Sequence, residues 1–369
     1  MNGIAGRALR QWGYIFSLLA TSCSLLFLSG CSTAPTQETF EPPPVFPAPP
    51  DEPRFIYERT LQTNEDVEKI TGMQRLKMMA TGRSPEVQGL VKPYGVAVYQ
   101  GRVYVTDTAQ KAVLLFDIPG GRFLQFGQDE PGRLSKPIGI TVSKQGEVYV
   151  SDVVARRVIV YSLEGKYLRT LGSNELLRRP AGVAISPDGT RLYVVDVGGL
   201  DNNDHRVQVF DPQTGAHLQT IGTRGTEKGQ FNLPLQAATG PDGTLYVVDG
   251  GNFRVEAFDP GGHFLFTFGK VGRFPGQFAR PKGIATDAEG NIYVVDTAFG
   301  NVQIFDKKGQ VLMFIGNRDN AGKPGKFFLP AGVAVGEDGR VYMVDQYFRK
   351  IDIFKPLPGK ISDADKAAQ

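Results

Sequence analysis

Four adjacent oxygen donors are the residues with the clearest capacity for chemistry. Asp201, Asn202, Asn203 and Asp204 stand side by side in the segment "VGGLDNNDHRV". Carboxylate and amide oxygens at close spacing are ligands that calcium prefers. The twelve-residue pattern of an EF-hand loop is absent. We therefore predict no metal and no cofactor, and keep a calcium ion in this loop as the alternative.

Cysteine chemistry centres on Cys31, which ends the tetrapeptide "LSGC". It follows Arg7, Arg10 and an apolar run over residues 14–28, too short for a stable membrane span. This pattern resembles a bacterial lipoprotein signal, which implies cleavage before Cys31 and a lipid on its thiol. An ordinary signal peptide with a chance cysteine is the alternative. Multiple acyl chains give firm membrane attachment, and Ser32 in place of an aspartate implies the outer rather than the inner membrane.

Composition excludes several functional classes. Cys23 lies inside the predicted signal, so the mature chain has no cysteine pair for a disulfide and no free thiol for zinc or catalysis. The whole chain has 41 Lys and Arg against 38 Asp and Glu. Loss of Arg7 and Arg10 with the signal leaves 39 bases, so the mature protein is nearly neutral. Charge therefore gives no argument for nucleic-acid binding.

A proline-rich segment follows the predicted lipid. Residues 32–53 hold eight prolines in 22 positions. Polyproline II advances roughly 3.1 Å per residue, so a tether of up to about 70 Å is expected. A docking site for a partner is the alternative to a spacer. We assign residues 1–30 to the signal and residues 31–53 to the lipidated cysteine and tether.

The rest of the chain repeats one pattern six times. Each unit has a Pro-x-Gly start, an apolar run, a glycine turn, a "YVVD" strand, a loop and a third strand such as "RVQVFD". The starts are "KPYGVAV", "KPIGITV", "RPAGVAI", "LPLQAAT", "RPKGIAT" and "LPAGVAV". The second strands end at Asp107, Asp152, Asp196, Asp249, Asp296 and Asp345. Four short antiparallel strands in a unit of about 45 residues predict a β-propeller blade.

The wording of the units resembles the NHL-repeat family across residues 92–355. This resemblance implies an all-β, six-bladed propeller with four antiparallel strands per blade. The proline-rich preface and "PPDEPRFIY" resemble the start of bacterial envelope lipoproteins that carry this propeller. We assign residues 92–357 to the six blades and residues 358–369 to a disordered tail.

The sixth unit lacks a fourth strand, and residues 54–61 supply the missing pattern. "RFIYERTL" alternates with the period of a strand and matches the outer strands "KYLRTLG" and "HFLFTFG". We predict that it becomes the outer strand of blade six and closes the ring, which removes an exposed strand edge. An unpaired extension of the tether is the alternative.

Residues 62–91 form an insertion between this strand and blade one. Asn64 is a candidate N-cap, and Val67, Ile70, Leu76 and Met79 recur at roughly helical spacing. We predict a short helix or two. Such a helix either packs over the ring or acts as a lid or docking element.

Long loops are predicted on one face only, here named the loop face. It carries the loops between strands two and three and those between blades; the opposite end, the turn face, has only tight turns. The loop-face segments within residues 92–357 hold nineteen Lys and Arg against seven acids, and the six strand-ending aspartates raise the acids to thirteen. These aspartates are expected to accept backbone N–H bonds in the loop that follows each of them. The candidate binding residues are Arg157, Arg178, Arg179, Phe253, Arg254, Arg273, Tyr347, Phe348 and Arg349.

The predicted central channel offers little for catalysis. Its innermost strands are small and apolar, and His205, His217 and His263 fall in a peripheral loop or at outer strands, where they do not converge. Histidine-bound zinc of the kind in related amidating lyases is therefore not expected. Tyr94, Gln236 and Lys282 depart from the repeat near the axis and are the candidate channel mouth.

These features together predict a binding or scaffolding lipoprotein of the bacterial envelope. We expect a monomer without catalytic residues that binds an envelope protein or an anionic polysaccharide, and does not bind nucleic acid. The alternative is a cell-surface enzyme of the lyase or lactonase type.

Overall fold

The computed structural model describes residues 42–84, 86–199 and 203–358. Cys31, Asp201, Asn202 and the tail from residue 359 lie outside these ranges. Six antiparallel sheets form the blades, and blades one to five have their strands in chain order from the axis outward. The strands of blades one to three are β3 (Pro93–Tyr99), β4 (Arg102–Asp107), β5 (Ala112–Asp117), β6 (Arg122–Phe126), β7 (Pro137–Val142), β8 (Glu147–Asp152), β9 (Arg157–Ser162), β10 (Tyr167–Leu171), β11 (Pro180–Ile185), β12 (Leu192–Asp196), β13 (Arg206–Phe210) and β14 (His217–Ile221).

The second half of the ring repeats this arrangement. Its strands are β15 (Pro234–Thr239), β16 (Leu245–Asp249), β17 (Arg254–Phe258), β18 (Phe264–Phe268), β19 (Pro281–Thr286), β20 (Ile292–Asp296), β21 (Asn301–Phe305), β22 (Val311–Ile315), β25 (Pro330–Val335), β26 (Val341–Asp345) and β27 (Lys350–Pro356). Two short strands, β23 (Asn317–Arg318) and β24 (Lys326–Phe327), pair in parallel inside the loop between blades five and six. A one-turn 3-10 helix spans Gly250–Asn252.

The innermost strands form a closed ring. Each contacts the innermost strand of the next blade, and β25 of blade six contacts β3 of blade one. Six hydrophobic clusters fill the six interfaces between neighbouring sheets. The predicted six-bladed propeller with four antiparallel strands per blade is therefore confirmed, and its core lies between the blades.

Tight packing at the axis explains the Pro-x-Gly start of the repeat. A Cβ added to Gly95 would lie 2.5 Å from the carbonyl oxygen of Ile138 in the next blade, and one added to Gly139 would lie 2.3 Å from that of Ala181. Real Cβ atoms do not approach oxygen so closely, so only glycine fits. Blade four departs from this rule at Gln236, which is described with the channel below.

The prediction that the N-terminal strand closes the ring is confirmed. β2 (Phe55–Leu61) pairs antiparallel with β27, with Phe55 opposite Pro356 and Leu61 opposite Ile351. Phe55 and Leu61 are fully buried, in the clusters on either side of blade six. The Thr60 hydroxyl donates to Asp352 Oδ1 at 2.7 Å, which ties the strand to a buried carboxylate.

The end of the proline-rich segment is part of the fold. β1 (Val45–Phe46) pairs antiparallel with β2 and adds a fifth strand to blade six, which the sequence analysis did not predict. The backbone N–H of Tyr57 donates to the carbonyl of Pro44 at 2.9 Å. The Phe46 ring packs edge-on against Phe354, with centroids 5.6 Å apart. The described end of the predicted tether therefore contains a paired strand and is not a free linker.

The insertion contains a 3-10 turn and one α-helix. The turn is Asn64–Asp66, and the helix, α1, is Gly72–Thr81. Thr71 caps α1, because its hydroxyl accepts the N–H of Gln74 at 3.2 Å, so the expected cap at Asn64 does not start the α-helix. No residue of α1 is buried, so the helix does not pack its apolar side onto the ring. Within the described ranges, no helix is both long and apolar enough for a membrane span.

Ring closure predicts that Thr60 contributes more to the free energy of unfolding than its counterparts in other blades. Thr60→Val leaves the buried Asp352 carboxylate short of one donor, so the free energy of unfolding should fall by about 1–3 kcal/mol. Thr170 occupies the same position in β10, where its hydroxyl meets only the Tyr167 hydroxyl at an exposed site. Thr170→Val should therefore change stability by less than about 0.5 kcal/mol. Urea denaturation measures both, and equal losses would contradict the closure contact.

Candidate functional site

The strand-ending aspartates hold the loop face in shape. Asp345 is fully buried and accepts N–H bonds from Phe328 and Leu329 at 2.7 and 3.0 Å, and from Tyr347 and Phe348 at 2.8 and 3.0 Å. The first pair belongs to the loop entering the blade, and the second to the loop after strand two. The expected bonds to the following loop are confirmed here, and the bonds to the preceding loop are an addition.

The same clamp recurs around the ring with small variations. Asp107, Asp152 and Asp296 each accept two N–H groups from the preceding loop and two from the following loop. In blade four, Asp249 accepts the N–H of Asn232 at 2.6 Å, together with the side chains of Asn252 and Arg254. All six carboxylates are fully buried, so a partner that contacts the loop face does not meet them.

The central channel is a cavity of about 430 Å³, lined by residues of all six innermost strands. Its only strand hydroxyls beyond Thr141 are those of Thr239 and Thr286. Both are already used, because they donate to the carbonyls of Ile185 and Thr239 at 2.7 and 2.8 Å. The Asp287 carboxylate at the turn face accepts the Tyr293 hydroxyl at 2.9 Å. The hydroxyls of Thr239 and Thr286 are therefore engaged within the fold.

The structure brings together two of the three predicted channel-mouth residues. Lys282 Nζ lies 5.8 Å from the centroid of the Tyr94 ring, within the range of a cation–π contact. Burial, then the charge of Arg280, lowers the pKa of Lys282 to about 8, and burial raises the pKa of Tyr94. Gln236 instead lies against Gly182 of blade three. It lines the cavity, whereas Tyr94 and Lys282 do not.

Three of the predicted binding arginines have internal partners. Arg254 lies 3.0 Å from both Asp249 and Glu256 and donates to the carbonyls of Thr226, Glu227 and Gln230. Arg157 donates to the carbonyl of Arg133 at 2.9 Å. Arg178 lies 3.7 Å from Asp204. Arg254 in particular is a structural clamp of its loop, which leaves little of it for a partner.

Arg179, Arg273 and Arg349 are the predicted binding arginines that remain open to solvent. All three side chains are exposed. Among the hydrogen bonds and ion pairs of the described residues, none involves a side chain of these three. Arg179 enters blade three, Arg273 enters blade five and Arg349 lies in the loop of blade six. They are available to an anionic partner.

Aromatic side chains gather on the loop face of blade six. The Tyr347 ring, 56% exposed, packs 4.7 Å from the ring of Phe328 and 5.0 Å from that of Phe348. The Arg318 guanidinium lies 4.5 Å from the Phe328 centroid. We name Phe328, Tyr347, Phe348 and Arg318 the aromatic cluster. Phe253 is apart from it, half-buried against the core of blades four and five.

Sequence analysis did not place Phe328 and Arg318 in this cluster. The repeat buries one aromatic residue before each of blades four to six, at Phe231, Phe278 and either Phe327 or Phe328. The structure buries Phe327 completely, which leaves Phe328 on the surface. The doubled "FF" in "PGKFFLP" was the available signal, because the core position takes only one of the two rings.

The three histidines have separate local partners. His205 is buried, and its Nδ1 accepts the N–H of Leu233 at 3.2 Å. Burial lowers its pKa. His217 contacts Gln208 at 2.8 Å, and His263 contacts Asp259 at 3.0 Å. Within residues 42–84, 86–199 and 203–358, no three His, Cys, Asp or Glu side chains are placed to hold a metal ion.

A buried glutamate supports the loop that enters blade four. Glu256 is fully buried, lies 3.0 Å from Arg254, and accepts the N–H of Gly229 at 3.3 Å, while its Oε2 has no partner. Burial raises its pKa to about 7. Blade five has Gln303 at this position, which accepts the N–H of Gly276 and donates to the carbonyl of Gln277 at 2.8 Å. The amide thus satisfies both loop groups without a charge.

Comparisons with known proteins agree on the fold. No family model and no curated protein matches the chain. A streptogramin B lyase is 15% identical, with 73% of this chain and 94% of that chain covered and a TM-score of 0.54. A Bacteroides thetaiotaomicron protein of unknown function is 21% identical, with 73% and 70% covered and a TM-score of 0.56. A gluconolactonase from Xanthomonas campestris is 17% identical, with 82% and 98% covered and a TM-score of 0.56. At these identities the likeness shows a shared six-bladed propeller.

The raised pKa of Glu256 predicts how the stability of the protein changes with pH. The pKa of Glu256 is higher in the folded state than in the unfolded state. The free energy of unfolding therefore falls as pH rises from about 4.5 to about 7. Glu256→Gln should therefore gain stability over the parent between pH 5 and pH 8, by up to about 3 kcal/mol. Urea unfolding at the two pH values measures this gain.

The converse variant is the matched control for that experiment. Gln303→Glu places a carboxylate at the equivalent buried position of blade five, so its unfolding free energy should acquire a new decline between the same pH values. A Glu256→Gln protein with the parent's pH profile would show that the carboxylate is not the titrating group.

Proposed function

We propose that this chain is a membrane-anchored binding module of the bacterial envelope, whose loop face binds an anionic protein or an acidic polysaccharide. One observation carries the proposal. The loop face presents Arg179, Arg273 and Arg349 to solvent and carries the aromatic cluster on blade six, while its six strand-ending carboxylates are fully buried. Arginine and aromatic side chains are the residue types that dominate binding surfaces.

Burial of the aspartates removes six acids of the loop face from direct contact with a partner. The count sets nineteen bases against thirteen acids, and six of those acids are the clamp residues. Their negative charge is directed at backbone N–H groups inside the blade. Lys282 extends the cationic surface toward the axis, where Tyr94 packs beside it.

The membrane anchor in this proposal rests on Cys31. The lipoprotein-like signal before it supports acylation, and Ser32 supports the outer membrane. Mass spectrometry of the mature N-terminal peptide tests this part: a diacylglyceryl group on Cys31 is expected. Cleavage elsewhere, or an unmodified thiol, would contradict the anchor.

A second candidate function is an enzyme of the lyase or lactonase type, and the channel cavity is the observation that favours it. The cavity's volume of about 430 Å³ suits a small ligand. The threonine hydroxyls at positions 239 and 286 of its walls bond to carbonyls. Hydrolysis of gluconolactone by the purified protein, dependent on added Ca²⁺, would favour this candidate over the binding module.

The loop-face proposal predicts a face-specific loss of binding. Arg179→Glu/Arg273→Glu should weaken binding of polygalacturonate, a defined acidic polysaccharide, at least tenfold at low salt, because two exposed cations become repulsive. The same measurement at 0.15 M salt should show weaker binding overall, since exposed charges are screened. Biolayer interferometry of the full chain measures both.

A charge-matched control keeps the test specific. Lys144→Glu/Lys307→Glu makes the same change of charge at exposed positions on the turn face. This variant should bind within about twofold of the parent if the loop face is the binding surface. Equal losses in both variants would show non-specific charge attraction and would contradict the proposed site.

A further inference from the structure

The helix α1 exposes an apolar stripe that no described part of the chain covers. Met73, Leu76 and Met79 are 75%, 60% and 81% exposed, and Ile70, just before the helix, is 49% exposed. Met73, Leu76 and Met79 lie on one side of a 3.6-residue helix, while Met78 lies on another side and is half-buried. Gly72–Thr81 also contains Arg75 and Lys77 but no acid. We name Ile70, Met73, Leu76 and Met79 the helix stripe.

Exposed hydrophobic side chains are concentrated on the same end of the propeller. The insertion is the loop between blade six and blade one, so it belongs to the loop face. Of the fourteen large hydrophobic residues with high exposure among the described residues, three lie in outer strands: Leu168, Leu218 and Leu265. The other eleven lie in the insertion or in loop-face loops: Ile70, Met73, Leu76, Met79, Val87, Val91, Val154, Leu233, Val271, Phe274 and Tyr347. The turn face has none of them.

The N-terminal chain reaches the propeller from this side. β2 runs toward the loop face and ends at Leu61, and β1 pairs antiparallel to it. Moving back from Val45, the chain therefore heads toward the loop face, as the hydrogen bond between Pro44 and Tyr57 shows. Ten residues lie between Cys31 and Pro42, so the eleven steps that join them can span at most roughly 35 Å at the rise of polyproline II. A lipid on Cys31 would hold the loop-face side of blade six within that distance of the membrane.

We propose that the helix stripe docks into the lipid surface that holds the Cys31 acyl chains, with Arg75 and Lys77 at anionic headgroups. Helices that lie in a membrane interface bury one apolar face at the headgroup boundary and keep Lys and Arg beside it. The exposed stripe, its adjacent cations and the approach of the chain at Pro44 and Val45 from the same side match these requirements. The proposal rests on the lipid anchor of the proposed function.

This contact leaves the exposed cations of blades three and five accessible. α1 lies between blades six and one, whereas Arg179 and Arg273 lie in the loops that enter blades three and five. A propeller held at the helix would meet the membrane at one edge of the loop face. The cations on the other blades would remain available to a partner.

Site-directed fluorescence tests the contact in the full, lipidated chain. Cys23 leaves with the signal and Cys31 is acylated, so Met79→Cys introduces the one free thiol of the mature chain. The labelled protein is reconstituted into vesicles of phosphatidylethanolamine and phosphatidylglycerol. A polarity-sensitive dye at position 79 should shift to the blue and be quenched by a lipid-borne quencher, whereas a dye at Gln74→Cys, on another side of α1, should not. Equal, water-like spectra at both positions would overturn the proposal.

A second measurement separates failure of the helix contact from failure of the anchor. Unacylated Cys31→Ala protein should still sediment with phosphatidylglycerol vesicles, and Met73→Gln/Met79→Gln should reduce the bound fraction at least fivefold. Leu168→Gln/Leu218→Gln removes two exposed apolar side chains from outer strands and should have no such effect. Two results would overturn the helix contact, whatever mass spectrometry shows at Cys31. One is no vesicle binding by Cys31→Ala protein; the other is vesicle binding that the helix variant leaves unchanged.

Discussion

The structure depends on β2 completing blade six. The C-terminal part of the chain supplies only three strands of that blade, so without β2 the backbone groups on one side of β27 would face solvent. Phe55 and Leu61 each fill a cluster at one of the two interfaces of the blade. Asp352 adds a polar requirement, because it is fully buried and bonds to Lys350 at 2.7 Å, to the Gly325 N–H at 3.0 Å and to Thr60. Buried charges are tolerated when every partner is present, which makes β2 part of the core.

Closure also decides on which face of the propeller the insertion lies. Because β2 ends at the loop face, the insertion with α1 becomes the last of the blade-to-blade loops, on the side with the long loops. The aspartate clamps then hold these loops from inside, through backbone N–H groups rather than exposed side chains. Their carboxylates are consumed by the fold, while Arg179, Arg273 and the aromatic cluster remain outside. A stable ring thus presents a basic and partly apolar end.

The blades and their closure could be predicted from sequence because each rests on a pattern repeated several times. The finer features depend on contacts that a pattern does not contain. Asn64 is a good cap residue, yet its side chain accepts the N–H of Gln88 at 2.9 Å and holds the insertion together, while Thr71 caps α1. Val45 and Phe46 form a two-residue strand among prolines, too short for any periodicity. Arg254 was a predicted binding residue, whereas the structure pairs it with the buried Glu256 at 3.0 Å.

Hydrogen–deuterium exchange read by mass spectrometry tests the central claim, that β2 is a permanent strand of blade six. We expect peptides covering residues 55–61 to be as protected as those covering residues 350–356, and to lose protection with them in one step as urea is added. Peptides of α1, which has no buried residue, should exchange early. Exchange of residues 55–61 on the timescale of α1, with residues 350–356 still protected, would contradict the closed ring.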